Sequence, residues 1–409
     1  MVKNKEIKIC FLADKHGLYD DRIYWKMAVP LKEKGYEVYY FLIGDETKNG
    51  VTEEGIAYDI LEVKTFSNNL YLNFILKNLN PFNNYKILFK KAKGINAEVY
   101  HFHDLWINKI GKRLKKLKQK PVVFYDAREP YAEDYISYSK ATGILKRIIY
   151  LFSYVINRWE KTKAKNYDLV IANEEIVRDK FRQSLGKEKA EVLYNFTDIY
   201  KNFNSTPLKN KKYDFIYCGG ISELRGAFKI LDATLKAKSK LPSIKVVFVG
   251  RYSPENLKEK LQDYIDKNDL TNNVSLFSEV NYNQVSNYYN MSKIGLVTLL
   301  PIKTFEISMP IKVFEYMAFA LPMIGSNFGH IKKYIEQEDC GILVDPNNPD
   351  EIAEAMVLLL NDNEIYNRFS SNGRNATLEK YKWDFELDRL IGFYTKALNE
   401  REKNINNVK

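Results

Sequence analysis

The chain has 409 residues, 45% hydrophobic and 28% charged, a globular composition too long for one ordinary core, so two domains are expected. A net charge of +11 calls for an anionic partner, whether nucleic acid, anionic lipid or a phosphorylated or acidic small molecule, and charge alone does not choose among them. Cys10, Cys218 and Cys340 lie beside short apolar runs with no CxxC spacing, which excludes a disulfide framework and reads as buried thiols in a reducing compartment; four histidines without a carboxylate-rich cluster give little support for a metal.

The N-terminus goes straight into a strand, IKICFLA (7–13), with no signal peptide visible. RIYWKMAVPLKEKG (22–35) is expected as a helix ended by Gly35, and YEVYYFLIG (36–44) as the next strand. AEVYHFH (97–103), PVVFYDA (121–127), YDLVIAN (167–173) and AEVLYN (190–195) continue the series, with Lys-rich helices between them. NFNSTPLKNKKYD (202–214), polar and carrying a proline, is taken as a linker. The second half repeats the pattern with YDFIYCGG (213–220), SIKVVFVG (243–250), NVSLFSEV (273–280), KIGLVTLLP (293–301) and GILVDP (341–346). Apolar strands alternating with helices predict an α/β protein of parallel sheets covered on both faces. The division is placed at 1–203, an N-terminal Rossmann-like domain, and 204–382, a C-terminal one with a cleft between them; a last helix and a frayed polar tail fill 383–409. The longest apolar stretch, IIYLFSYVI (148–156), is far short of the ~20 residues that span a bilayer.

Ligands of open α/β sheets bind beyond the carboxyl ends of strands, and four stretches fall there. LADKHGLYDDR (12–22) carries Gly17, which would let backbone approach a ligand closely, or is an ordinary turn. YCGGISELRG (217–226) frees its backbone at Gly219 and Gly220 and offers Arg225, whose fork suits a diphosphate unless it is a helix-surface residue. SMPIKVFEYMAFALPMIGSN (308–327) can be capped by Ser308 with Pro310 in its first turn, placing Lys312, Glu315 and Phe319 on one face and Val313, Phe314, Met317 and Ala318 on the core. Lys312 and Glu315 are either a solvated i,i+3 pair or ligand groups; a lysine at the positive end of a helix is misplaced unless an anion joins it, which favours the ligand. VYHFHDLW (99–106) and FYDAREPYAED (124–134) gather His101, His103, Asp104, Asp126, Arg128 and Glu129, the two histidines on the same side of one strand.

Taken in order, these motifs resemble the retaining glycosyltransferases of family four, which have the GT-B fold: two Rossmann-like domains with parallel sheets facing across a cleft. The resemblance extends over nearly the whole chain and includes KVVFVGRYSP, NVSLFSEV and GILVDPNNPDEIAEAMVLLLND. It implies a transferase moving a sugar from a nucleotide-diphosphate donor, UDP- or GDP-linked, to a glycan or lipid-linked acceptor in cell-surface polysaccharide synthesis, with no metal and no cofactor. It implies that Glu315 holds the ribose, that Arg225 and Lys312 neutralise the diphosphate, and that Gly17, Gly219, Gly220, Pro310 and Ile311 complete the donor site. Catalytic roles fall to His103, Arg128 and Glu306. The chain departs from the family pattern at Ile307, where a first glutamate is expected and Glu306 is one residue off; at Gly220, for an arginine; at Ala320, for a glycine; and at Arg128, for a histidine. Arg128 is expected to offset a missing cation or meet an acidic sugar. The last helix would return to the N-terminal domain through Phe385, Leu387, Leu390, Ile391, Phe393 and Tyr394.

KRLKKLKQK (112–120) and GILKRIIYLFSYVINRWEKTKAKN (143–166) make the N-terminal half cationic. The second is either a core helix with solvated lysines or a segment that lies in an anionic membrane surface, which would make a cytoplasmic protein peripheral on the inner face of the plasma membrane. Three further readings stand beside the transferase: a catalytically silent homologue that binds a sugar nucleotide or a partner enzyme, a sugar-nucleotide epimerase, and a nucleic-acid-binding protein. The last lacks a reading module and an aromatic stacking platform, so no nucleic acid is expected.

Overall fold

Apolar strands build two separate sheets in a computed structural model that describes residues 7–14, 16–62, 82–137, 139 and 142–407. The chain divides into one unit of Met1–Asn195 with Phe385–Lys409 and a second of Phe196–Asp384. The break after Asn195 has a packing reason. Phe196 is buried against Phe314 and Tyr381, at 4.9 and 5.1 Å between ring centres, and the Trp383 N–H donates to the Thr197 carbonyl at 3.0 Å.

The first sheet comprises β1 (Lys8–Asp14), β2 (Glu37–Gly44), β3 (Lys48–Val51), β4 (Ala57–Glu62), β5 (Val99–His103), β6 (Val122–Ala127), β7 (Leu169–Ala172) and β8 (Ala190–Val192), in the order β3-β4-β2-β1-β5-β6-β7-β8. Only the β3–β4 pair is antiparallel. These two strands escape the sequence reading because β3 is fully exposed, Lys-Asn-Gly-Val, and β4 carries Asp59 mid-strand. The expected helix over 22–35 begins instead as a widened π-helix at Asp21–Ala28, capped by the Asp20 carboxylate on the N–H groups of Arg22 and Ile23, and continues as an α-helix at Val29–Glu33 with Pro30 in its first turn.

The second sheet is wholly parallel: β9 (Tyr213–Cys218), β10 (Val246–Val249), β11 (Val274–Phe277), β12 (Ser292–Val297), β13 (Met323–Ser326) and β14 (Gly341–Val344), ordered β11-β10-β9-β12-β13-β14. This is the doubly wound order, which reverses direction between β9 and β12. The first sheet reverses likewise between β1 and β5. In both, the loops leaving the two strands at the reversal part to opposite sides and open a crevice.

The last helix runs Trp383–Asn406, so most of the expected frayed tail is helical. Its inward face is Leu387, Leu390, Tyr394 and Leu398 at helical spacing, whereas Phe385 points outward. The helix Gly143–Ala164 buries only Ser153, Ile156, Glu160 and Ala164. It is therefore not the core helix that one sequence reading allowed. Among the described residues no helix is long and apolar enough to cross a membrane, and the three cysteines are free and buried.

Candidate active site

In the second unit the crevice at β9 and β12 is built from glycine and one lysine. After β9 the chain turns at Gly219 (φ +112°), a conformation that side chains rarely adopt, and its carbonyl packs on Gly250 so tightly that a β-carbon there would lie 1.8 Å away. The turn leaves Gly219 and Gly220 exposed. Onto it points Lys312, from the first turn of the helix Lys312–Ala318: its Nζ is 3.6 Å from where a Gly219 β-carbon would sit and 3.7 Å above the centre of the Tyr217 ring. Lys312 is 5% exposed, and its ammonium has no hydrogen-bond partner among the described residues. A buried cation in that condition is costly unless an anion joins it. The buried Thr298 hydroxyl, at the end of β12, is also without a partner.

Arg225 approaches the same turn from the other side. Its guanidinium carbon is 3.6 Å from where a β-carbon on Gly220 would sit and 5.2 Å from the centre of the Phe305 ring. Arg225 thus lies within contact distance of the Gly220 position. The N–H of Arg225 is held by the Ser222 hydroxyl at 3.2 Å.

The helix that carries Lys312 is locked in place by Tyr316, whose hydroxyl accepts from the Cys218 N–H and lies 3.2 Å from the carbonyls of Ile216 and Leu296. Glu315 is 7% exposed and accepts a hydrogen bond of 2.7 Å from Tyr289 Oη. Neither charge of the Lys312–Glu315 pair is solvated, so the surface salt bridge is excluded. Two details differ from the expected helix. Phe319 is fully buried, 5.1 Å from Tyr289 between ring centres, and does not share an outer face with the charged pair. Ser308 ends the preceding helix, Lys303–Ile307, and the Lys312 helix starts at Ile311 with no side-chain cap; the carbonyls of Pro310 and Ile311 take its first N–H groups. Glu306 is on the open side of that preceding helix, 47% exposed and 3.7 Å from Lys303, while Ile307 is buried.

In the first unit, register brings a polar cluster to the crevice at β1 and β5. His103 lies opposite Asp126 across β5 and β6, and the rings of His101 and His103 stack with centres 4.6 Å apart. His103 is wholly buried, its Nδ1 3.5 Å from Asp126. Its ring is packed among buried side chains, 5.9 Å from the Phe11 ring between centres. His101 Nδ1 is 2.6 Å from Tyr394 Oη. Burial, with Arg22 nearby, holds His101 neutral down to about 3, and burial with the surrounding cations holds His103 well below the ordinary histidine range. His101, His103 and Asp126 bring ligand atoms within 4.8 Å of one another, a metal-like set that the sequence reading set aside. A guanidinium already occupies its carboxylate: Arg22 Nε donates to Asp126 at 3.0 Å, both groups being buried.

Arg128 is likewise held within the unit. Its guanidinium donates to both oxygens of Asp20 at 3.1 Å, with Asp21 at 3.8 Å. The partly exposed titratable group here is His16, bonded to Asp104 at 2.8 Å and Asp20 at 3.0 Å. Burial is the largest influence on His16 and opposes its protonation, as Arg128 does, yet the two carboxylates carry its pKa up to about 9. Gly17 beside it has ordinary backbone angles, and a β-carbon there would meet open space. Tyr217, Thr298, Tyr289 and His16 were not singled out from sequence. Tyr217 and Thr298 do stand at the ends of strands, the one signal that marked them.

Residues 198–376 match the family model of glycosyl transferases group 1. The second unit is similar to this group over nearly its whole length. The ordered motifs pointed to the same broad class, glycosyltransferases, and more narrowly to family four. An uncharacterized glycosyltransferase of Haemophilus influenzae is 25% identical over 59% of this chain and 65% of its own length. The O-antigen chain mannosyltransferase C of Escherichia coli is 26% identical over 46% and 47%, and the alpha-D-kanosaminyltransferase of Streptomyces kanamyceticus 25% over 44% and 44%. The chain therefore spans 44% to 65% of the length of these relatives. Among solved structures, sucrose-phosphate synthase of Thermosynechococcus elongatus superposes with a TM-score of 0.69 at 13% identity, covering 96% of this chain and all of its own. Anabaena HepE in complex with UDP-glucose gives 0.69 at 16% identity, covering 95% and all of its own. These likenesses give the chain the GT-B fold expected from its sequence.

Proposed function

We propose that this chain is a retaining, metal-independent glycosyltransferase of the family-four type, which takes a sugar from a nucleotide-diphosphate donor and passes it to a glycan or lipid-linked acceptor in cell-surface polysaccharide synthesis. The observation that carries the reading is Lys312: a buried ammonium with no hydrogen-bond partner among the described residues, aimed at a glycine turn at the switch point of the sheet. A diphosphate supplies the missing anion, with Arg225 on its other side and the Thr298 hydroxyl as a further donor. Glu315, oriented by Tyr289, takes the ribose hydroxyls. As the bond between the anomeric carbon and the diphosphate oxygen breaks, its electron pair stays on that oxygen, and the two cations stabilise the charge. The acceptor oxygen bonds to the anomeric carbon on the same face and its proton passes to the departing phosphate. UDP and UDP-glucose in the HepE crystals and the O-antigen mannosyltransferase among the relatives support the donor class and the polymer.

Thermal shift with nucleotide sugars tests this. UDP or GDP should raise the melting midpoint where the monophosphates do not, and Glu315→Ala should abolish the gain. No shift with any nucleoside diphosphate would overturn the proposal. One observation favours a second reading, a silent donor-binding homologue: His103 is buried and Arg128 is engaged by Asp20. Donor binding with neither transfer nor hydrolysis would establish that alternative.

A further inference from the structure

The helix Gly143–Ala164 is amphipathic the wrong way round for a protein interior. It rests on its own unit by a narrow, partly polar stripe: Ser153 Oγ donates to the Ala132 carbonyl at 2.6 Å, and Glu160 accepts from Tyr125 Oη at 2.5 Å and from Lys180 at 3.3 Å. Ser153, Ile156, Glu160 and Ala164 recur at helical spacing along that side. On the opposite side Ile144, Ile148, Leu151 and Val155 recur at the same repeat and are exposed, Ile144 by 78% and Leu151 by 65%. Leu145 and Phe152 widen this face, and Tyr150 and Tyr154 flank it, also exposed.

The charges decide what covers it. Glu160 is the one acidic residue of the helix, and it is buried. Lys146, Arg147, Arg158, Lys161 and Lys163 remain, with Lys165 just beyond. The helix therefore offers its surroundings an apolar face and cations, with no exposed carboxylate. Half-buried Trp106 and Trp159, ring centres 5.9 Å apart, stand towards its basic end with Lys163 over Trp159, the residue types that settle at a membrane–water boundary.

We infer that this helix is a membrane-docking element that lays its apolar face into the surface of a bilayer containing anionic lipid, with its lysines and arginines at the headgroups. A second copy of the chain is the poorer occupant, because an isologous pairing would set cations against cations. Nucleic acid would leave the apolar face uncovered. The inference is independent of the donor site.

The test is co-sedimentation of the full chain with phosphatidylcholine vesicles, with and without phosphatidylglycerol. The chain should pellet with the anionic vesicles and be released progressively by salt. The pair Ile148→Ser with Leu151→Ser should lower the partition coefficient roughly tenfold or more while leaving the melting midpoint unchanged, since both residues are exposed. The pair Lys146→Gln with Arg147→Gln should remove part of the salt-sensitive component. A chain that stays in solution with anionic vesicles would overturn the inference. So would serine variants that bind as the parent does, or sedimentation velocity showing a vesicle-independent dimer that those variants dissociate.

Discussion

Lys312 is a cation for which the fold provides an aromatic ring but no hydrogen-bond acceptor, and that condition has two measurable consequences of opposite sign. Lys312→Met keeps the length and removes the charge, so the donor-free protein should gain about 1 kcal/mol of stability. The same change should weaken UDP by ten- to a hundredfold, the worth of a charge-assisted bond at about 1.5–3 kcal/mol; urea unfolding and calorimetry read the two effects. Arg128 should behave differently. Arg128→Ala leaves Asp20 buried without its guanidinium, so it should lower stability by about 3–5 kcal/mol and leave UDP affinity unchanged; a loss of affinity at full stability would restore Arg128 as a ligand residue. The histidines set the pH behaviour. His101 is held near 3 and His103 well below the ordinary histidine range, so near pH 6.5 the unfolded chain takes up protons that the folded chain refuses. Stability contributed there is complete above that pH and falls as pH drops, by up to about 1.4 kcal/mol per unit for each histidine. His16 acts in the other direction: raised to about 9, it stabilises below 6.5, and that contribution is lost as pH rises through 9. Urea unfolding across this range should show both flanks. Lys312 and Glu315 could be singled out from sequence because a lysine at a helix N-terminus is anomalous by itself. His16 could not, since its partner Asp104 lies across strands whose register only the fold sets, and nor could Thr298, since only the fold shows that its hydroxyl is buried and unmatched.

The glycine turn after β9 depends on close approach between two backbones. Gly250→Ala would drive a β-carbon into the Gly219 carbonyl, so it should cost about 1–3 kcal/mol and reduce the thermal shift by UDP. Gly17→Ala, with open space around its β-carbon, should leave stability unchanged. Ala320 sits at φ +54°, the left-handed region in which the family pattern has glycine. Ala320→Gly should therefore raise stability by up to about 1 kcal/mol, read as a higher melting midpoint. At this scale the apolar parallel strands were legible because they are buried on both faces and read as continuous runs. β3 and β4 were not, because an exposed edge strand carries no such run. The π-turn at Asp21–Ala28 left no mark in the residue pattern, since its aromatic and aliphatic residues read as an ordinary amphipathic helix.

Across the whole molecule, the order of landmarks gave the fold and the group where no single motif did: a strand, a glycine turn and a Lys-Glu helix recur in the sequence at the places where the doubly wound topology puts a crevice. Departures from the family pattern were legible as letters, but their meaning required geometry. Gly220 proves to lie beside the Arg225 guanidinium, and Arg128 is a partner of Asp20. The outward apolar face of the helix Gly143–Ala164 was half legible, because periodicity shows that a stripe exists and not which way it turns. The proposed transfer depends on Lys312 gripping a diphosphate. Titration calorimetry of UDP and GDP against the parent chain and Lys312→Gln measures it most directly. One of the two diphosphates should bind the parent and lose at least about tenfold in affinity to the variant; equal affinity for both proteins would contradict the account.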